Sequence, residues 1–160
     1  MDAHADLRGE FEGTPHSHAS AMARVLDRVD VCAVGVRGVS REEVDVSRSH
    51  DGSTLIWADE MSRDDTWMDR AMAAIGPKVY LTFDVDYFDP SVMPSTGTPE
   101  PGGGDWYSAL RFLKRVFAER EVIAADVVEL APTPGLHAPD FMVAKLVYKI
   151  IGYGCQDRLT

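Results

Sequence analysis

The residues best able to do chemistry stand in two short acidic runs. In Asp2-Ala-His4-Ala-Asp6, carboxylate, imidazole and carboxylate occupy alternate positions. In extended backbone, alternate side chains share one face, so these groups would converge on one point. Carboxylate plus imidazole is a donor set for a hard or borderline divalent ion such as Mn, Fe, Ni or Zn. The second run, Asp84-Val-Asp86, follows the apolar stretch ending at Phe83. Like charges packed together repel unless a cation neutralises them. Four aspartates and a histidine could hold two metals, some carboxylates bridging, and such a site activates water for attack at neutral pH. Each run alone has a plainer reading, as solvated loop acids or an unanchored tail. Asp-x-Asp after a strand also serves magnesium-dependent phosphotransferases, where one carboxylate is the nucleophile. That alternative leaves Asp2, His4 and Asp6 unused and lacks a phosphate-binding group.

The elements that must position these runs alternate between strand and helix. Continuous apolar runs at Val31–Val36 and Thr54–Trp57 read as buried strands, and Val79–Phe83 and Val122–Val128 read as further strands. Helical spacing predicts helices over Ala19–Arg28, Asp64–Ile75, Trp106–Glu119 and Phe141–Ile151, while Ser40-Arg-Glu-Glu43 fits a capping box opening a further short helix. Gly76-Pro77 and Gly152 are stop signals. Alternation of this kind implies a mostly parallel sheet with helices packed on it, whose ligands bind beyond the carboxyl ends of the strands. Asp84 and Asp86 stand at such an end. Tyr87–Asp105 has neither period, and its prolines and glycines predict a shaped, functional loop.

Composition narrows the partners. The chain has 160 residues, with 16 Lys plus Arg against 26 Asp plus Glu, a net charge of −10. This balance disfavours nucleic acid and anionic membranes and suits metal ions or cationic small molecules. No apolar run approaches the ~20 residues that span a bilayer. With no secretory pattern at the start and two cysteines, Cys32 and Cys155, a reduced cytoplasmic setting is expected. Cys32 reads as core, and His16, His50 and His137 as structural or surface residues.

The longer motifs resemble a known family. Phe83-Asp-Val-Asp-Tyr-Phe-Asp-Pro-Ser-Val-Met-Pro-Ser-Thr-Gly-Thr-Pro-Glu-Pro-Gly-Gly103 is similar to the ureohydrolase signature shared by arginases, agmatinases and related guanidine hydrolases. Asp2-Ala-His-Ala-Asp6 resembles the family's other metal motif, and Asp126-Val-Val-Glu-Leu-Ala-Pro132 a third. The Thr-Gly-Thr-Pro-Glu-Pro-Gly-Gly wording is closest to agmatinases. The resemblance implies a three-layer α/β/α arginase-like fold with a mostly parallel sheet. It implies two manganese ions, with Asp2 and Asp84 bridging, His4 and Asp86 completing one shell, and Asp6 binding the other metal and passing a proton to the leaving amine. A bridging hydroxide would attack the guanidinium carbon, releasing urea; for agmatine the other product is putrescine. His18 falls at a proton-shuttling position, Glu129 where a carboxylate holds the guanidinium, and Thr98 in the same pocket. The resemblance also implies a homo-oligomer for the full-length protein, since relatives are usually trimers or hexamers, and a small cationic guanidino compound as substrate.

The chain departs from the pattern in one respect. Full-length relatives carry an upstream Gly-Gly-Asp-His run whose histidine ligates one metal, and the first strands of their sheet precede Asp2. Residues 1–160 therefore read as the C-terminal part of a single ureohydrolase domain lacking its N-terminal strands. Two functions follow from the resemblance: an agmatinase-like enzyme, or a non-catalytic remnant that binds metal weakly or only a partner subunit.

Overall fold

The computed structural model describes residues 1–155. Strand β1 (Val31–Val36) pairs in parallel with β2 (Ser53–Trp57), and β3 (Lys78–Asp84) pairs in parallel with β4 (Glu121–Val128). The expected parallel sheet is thus realised as two parallel pairs. The first residues of the chain join them. The Met1 amine donates to the Thr82 carbonyl at 2.9 Å, and Asp84 N–H returns a bond of 2.9 Å to the Met1 carbonyl. On the other side Asp2 N–H donates to the Val34 carbonyl at 2.9 Å and Arg37 N–H to that of Ala3 at 2.8 Å. Met1–Ala3 therefore lies between β1 and β3, and Asp2 emerges beside the carboxyl ends of both.

Helices cover the strands: α1 (Ala21–Val25), α2 (Arg41–Ser49), α3 (Ala58–Met61), α4 (Thr66–Ala74), α5 (Trp106–Glu119) and α6 (His137–Gly154). The Asp105 side chain caps α5 by accepting from the amides of Tyr107 and Ser108, at 2.7 and 2.9 Å. Ala109, Phe112, Leu113 and Val116 then fall on one face at helical spacing, and all are buried. They join Trp67 and Ala71 of α4, Leu146 and Ile150 of α6, and Leu81 and Phe83 of β3 in the main core. A second cluster holds Val31, Ala33 and Val36 of β1 with Ala5, Leu7 and Leu26. Val34 belongs to the main core, so alternate residues of β1 face two different apolar layers. Among the described residues no helix is long and apolar enough to cross a membrane.

Several boundaries differ from the sequence expectation. The helix expected over Ala19–Arg28 is a 3₁₀ turn, His18–Ser20, followed by the short α1. Within it only Leu26 is buried and Met22 packs partly beside it, while Val25 is exposed, which leaves too narrow a stripe to sustain a longer helix. One-turn α3 is too short to show a period. The last helix begins at His137 rather than Phe141, because Pro139 sits in the first turn, where its missing N–H is not needed. Cys32 is partly buried against the main core, and burial pushes its thiol up to about 11.

Candidate functional site

The N-terminal run behaves as its spacing implies. Ala3, Ala5 and Leu7 are buried, while Asp2, His4, Asp6 and Arg8 are half-buried and line a cavity of about 510 Å³. His18, Glu43, Asp84, Thr98, Asp126 and Glu129 also line it, and Phe11, Met22 and Val25 form an apolar part of its wall. Asp86 is nearly inaccessible and stands behind the wall.

The convergence is tight. His4 Nδ1 lies 2.9 Å from an Asp86 carboxylate oxygen and 3.5 Å from one of Asp2. The backbone holds the acids in place: Asp86 accepts from Ala3 N–H at 3.0 Å, Asp2 from His4 N–H at 2.6 Å, and Asp84 from Asp86 N–H at 2.8 Å. Thr98 Oγ1 donates to Asp86 Oδ2 at 3.4 Å. One ligand atom each from Asp2, His4 and Asp86 lies within 4.8 Å of the others.

The protonation states show what this crowding costs. Burial, then the charges of Asp2 and Asp86, push the Asp84 carboxyl far above the usual carboxylate range. Burial and the Asp2 charge likewise raise Asp6 to about 7. Burial alone would raise Asp86 as well, but the His4 side chain, the Ala3 amide and Asp84 outweigh it and hold Asp86 low. His4 is raised to about 10 by hydrogen bonds to Asp2 and then Asp86. Without a cation, the crowding favours the protonated form of Asp84 and the charged form of His4. A divalent cation would balance these acids through oxygen and imidazole donors, so the donor set fits manganese or a similar ion.

The other expected site residues take different places. Asp6, at a backbone φ of 53°, lines the cavity outside the Asp2–His4–Asp86 group, as does Asp84. His18 is exposed at the cavity wall, edge-on to Phe11 with ring centroids 5.7 Å apart. Thr98 and Glu129 are exposed on loops that the structure ties together: Thr96 bridges Leu130, and Ala131 N–H donates to the Ser95 carbonyl at 2.9 Å. Glu129 has a left-handed φ of 64°, an uncommon conformation for a residue with a side chain.

The sequence showed Glu43 only as the last residue of a capping box. The box forms: Ser40 Oγ accepts from Glu43 N–H at 3.3 Å, and the Glu43 carboxylate accepts from Ser40 N–H at 2.8 Å. The same buried carboxylate also accepts from Leu7 N–H at 3.1 Å and faces Arg8 at 3.6 Å. It therefore anchors the end of the metal-motif run. The available signal was position, since the box follows the carboxyl end of a buried strand, the edge where ligands bind.

Parallel strands, an acidic cavity at their carboxyl ends and a carboxylate–imidazole cluster define an α/β protein whose sheet edge carries a donor group able to hold a divalent cation. More particularly, residues 1–152 match the arginase family model, and the chain belongs to that family. It is 44% identical over 155 residues to the N(1)-aminopropylagmatine ureohydrolase of Synechocystis, covering 96% of this chain and 50% of that one. With the agmatinase of Pyrococcus horikoshii it shares 32% identity over 153 residues, covering 95% and 53%. Its fold superimposes on the agmatine ureohydrolase of Thermoplasma volcanium with a TM-score of 0.83 at 27% identity, covering 96% of this chain and 53% of that one. For the proclavaminate amidino hydrolase of Streptomyces clavuligerus the TM-score is 0.85 at 26% identity, with 96% and 54% covered. The chain spans about half the length of these relatives. The arginase-like α/β fold expected from the motifs is therefore present, over about half its full extent. The phosphotransferase alternative has no support in these likenesses.

Proposed function

We propose that this chain carries most of the active site of a manganese-dependent ureohydrolase that releases urea from a linear alkylguanidine bearing a second amine. The observation that carries this reading is the meeting of Asp2, His4 and Asp86 within 4.8 Å, beside Asp84 and Asp6, in a cavity that Glu129 also lines. In this reading Asp2, His4, Asp84, Asp86 and Asp6 would hold the ions, with Asp2 and Asp84 contributing to both, His4 and Asp86 to one and Asp6 to the other. Two manganese ions, when bound, supply Lewis acidity and an activated water at neutral pH. The remaining work belongs to the protein. Glu129 pairs with the guanidinium fork and orients it, because a carboxylate matches two parallel N–H donors. Thr98 lines the same pocket. Asp6 and His18 carry protons to and from the leaving amine, a role that a carboxylate or an imidazole facing the reacting group can fill.

The cavity's walls support this choice of substrate: carboxylates among them suit cationic groups, and Phe11, Met22 and Val25 suit a methylene chain. Agmatine has this chemistry, and so does its N1-aminopropyl derivative, the substrate named for the Synechocystis relative. A urea assay with added manganese on both compounds, with arginine as comparison, tests the reading. Urea from either amine, and a large rise in KM in Glu129→Gln, are expected. Absence of urea from both compounds would overturn the proposal.

A second reading is favoured by the single histidine among the grouped donors. Here the chain binds one metal without turning over a guanidine, alone or with a partner subunit. One manganese bound per chain with no urea formed would support it. The homo-oligomer expected from the family resemblance, a trimer or hexamer, belongs to the enzymatic reading.

A further inference from the structure

Arg37 follows β1 and touches no substrate-facing surface of the cavity, yet its guanidinium is the most heavily bonded group at the sheet edge. Nε donates to the Pro101 carbonyl at 3.1 Å and to that of Glu100 at 3.3 Å. Nη1 donates to the Gly35 carbonyl at 3.0 Å and to that of Tyr87 at 3.5 Å. Nη2 donates to the carbonyls of Asp86 at 2.7 Å, Glu100 at 2.9 Å and Phe88 at 3.3 Å. Among the described residues it forms no ion pair with a carboxylate.

These acceptors come from three places: the end of β1, the turn that follows Asp86, and the far side of the long loop just after Thr98. A guanidinium offers five N–H donors in a rigid planar fork; an ammonium offers three around a point. Only the fork can hold two peptide segments at once in fixed relative orientation. The packing around it leaves no slack. A Cβ on Gly103 would stand 2.8 Å from Arg37 Nη2 and 2.6 Å from the Tyr87 carbonyl, and Gly103 has a φ of +115°. One on Gly104 would meet the Tyr87 ring at 2.3 Å. The loop can close onto Arg37 because these positions have no side chains.

We propose that Arg37 is a positioning residue for the site: by clamping residues 86–88 to residues 100–101, it sets the Asp86 carboxylate and Thr98 relative to His4. The inference deepens the metal-site reading above and rests on it for the identity of the ion. It is independent of the reaction, since the clamp consists of protein alone. Replacement of Arg37 by lysine keeps the charge and removes the fork. A partner that orients a ligand from outside typically changes metal affinity by about 10–100-fold when lost.

The test uses the chain 1–160 and its Arg37→Lys variant, with Phe112→Leu as a comparison that loosens the core between α4 and α5. Manganese affinity is measured by the electron paramagnetic resonance signal of the free ion, and amide hydrogen exchange is followed in residues 87–104 without metal. The clamp predicts at least a tenfold loss of manganese affinity in Arg37→Lys and faster exchange confined to that loop, with neither change in Phe112→Leu at comparable loss of thermal stability. Unchanged exchange in the loop, or unchanged affinity in a variant whose loop has loosened, overturns the proposal. Equal effects in Phe112→Leu also overturn it, by reducing Arg37 to general stability. If the unaltered chain takes up no manganese, the metal-site reading fails, and the exchange measurement still decides whether Arg37 clamps the loop.

Discussion

His4 Nδ1 lies 2.9 Å from the carboxylate of Asp86, a side chain so buried that it meets the cavity through its partners rather than directly. One residue comes from the bridging segment between the strand pairs, the other from the turn after β3. Their contact is the point at which the two acidic runs become one site.

Removing that contact should be visible without turnover. In Asp86→Asn, His4 loses one of the two carboxylates that raise it, so its pKa should fall from about 10 toward the ordinary imidazole value. Proton NMR titration of the metal-free protein checks this. The same variant should lose manganese affinity by more than the ~10–100-fold expected for an outer partner, because Asp86 offers a ligand atom itself.

Stability should depend on pH in a direction set by the same groups. His4 is raised from 6.5 to about 10, so its contribution is full below the unfolded value and is lost as pH rises through the folded one. Asp6, raised from 3.8 to about 7, and Asp84, raised further, favour the fold while protonated, so their contributions also fall as pH rises. Asp86 is held low and acts in the opposite sense only in acid. The metal-free chain should therefore lose melting temperature as pH is raised from about 5 to 9. Manganese should oppose the loss and release protons on binding, because its ligands must be deprotonated. Thermal melts with and without the ion, and calorimetry in buffers of different ionisation heat, measure both effects.

Gly38 is a sensitive position for His4. A Cβ there would stand 2.8 Å from His4 Cδ2 and 2.9 Å from Nε2. Gly38→Ala should displace the imidazole from Asp86 and weaken manganese binding by about tenfold or more. The loss of folding stability should be modest, since the displaced ring borders the cavity. A crystal structure or the His4 NMR shift in the variant checks the displacement directly.

The capping box should be felt at the site as well as in its helix. Ser40→Ala removes the acceptor for Glu43 N–H and should cost about 0.5–2 kcal/mol in denaturant unfolding. It also frees the Glu43 carboxylate that holds Leu7 N–H at 3.1 Å. Amides of residues 5–8 should then exchange faster than those of α2 itself, which hydrogen-exchange mass spectrometry resolves.

Local chemistry made much of this readable in the sequence. The alternation of Asp2, His4 and Asp6 with Ala3 and Ala5 predicted which side chains face together, since backbone geometry sets that period. Apolar runs located all four strands, and Ser40 with Glu43 announced a helix start. Helix lengths were read less well where burial decided them. Residues 19–28 carry the spacing of a helix, yet only Leu26 and part of Met22 find a core to pack on, and Val25 is exposed.

The sequence by itself determined the donor types, their alternate spacing and the family likeness, because each is carried by neighbouring residues. Tertiary structure alone decided that Met1–Ala3 joins two strand pairs, that Asp86 reaches His4, that Glu43 anchors Leu7, and that Arg37 gathers carbonyls from both ends of a long loop. Those relationships join segments distant along the chain. Spacing records periodicity within an element, whereas contacts between elements depend on how the buried layers pack and on which backbone groups are left to be satisfied at the sheet edge.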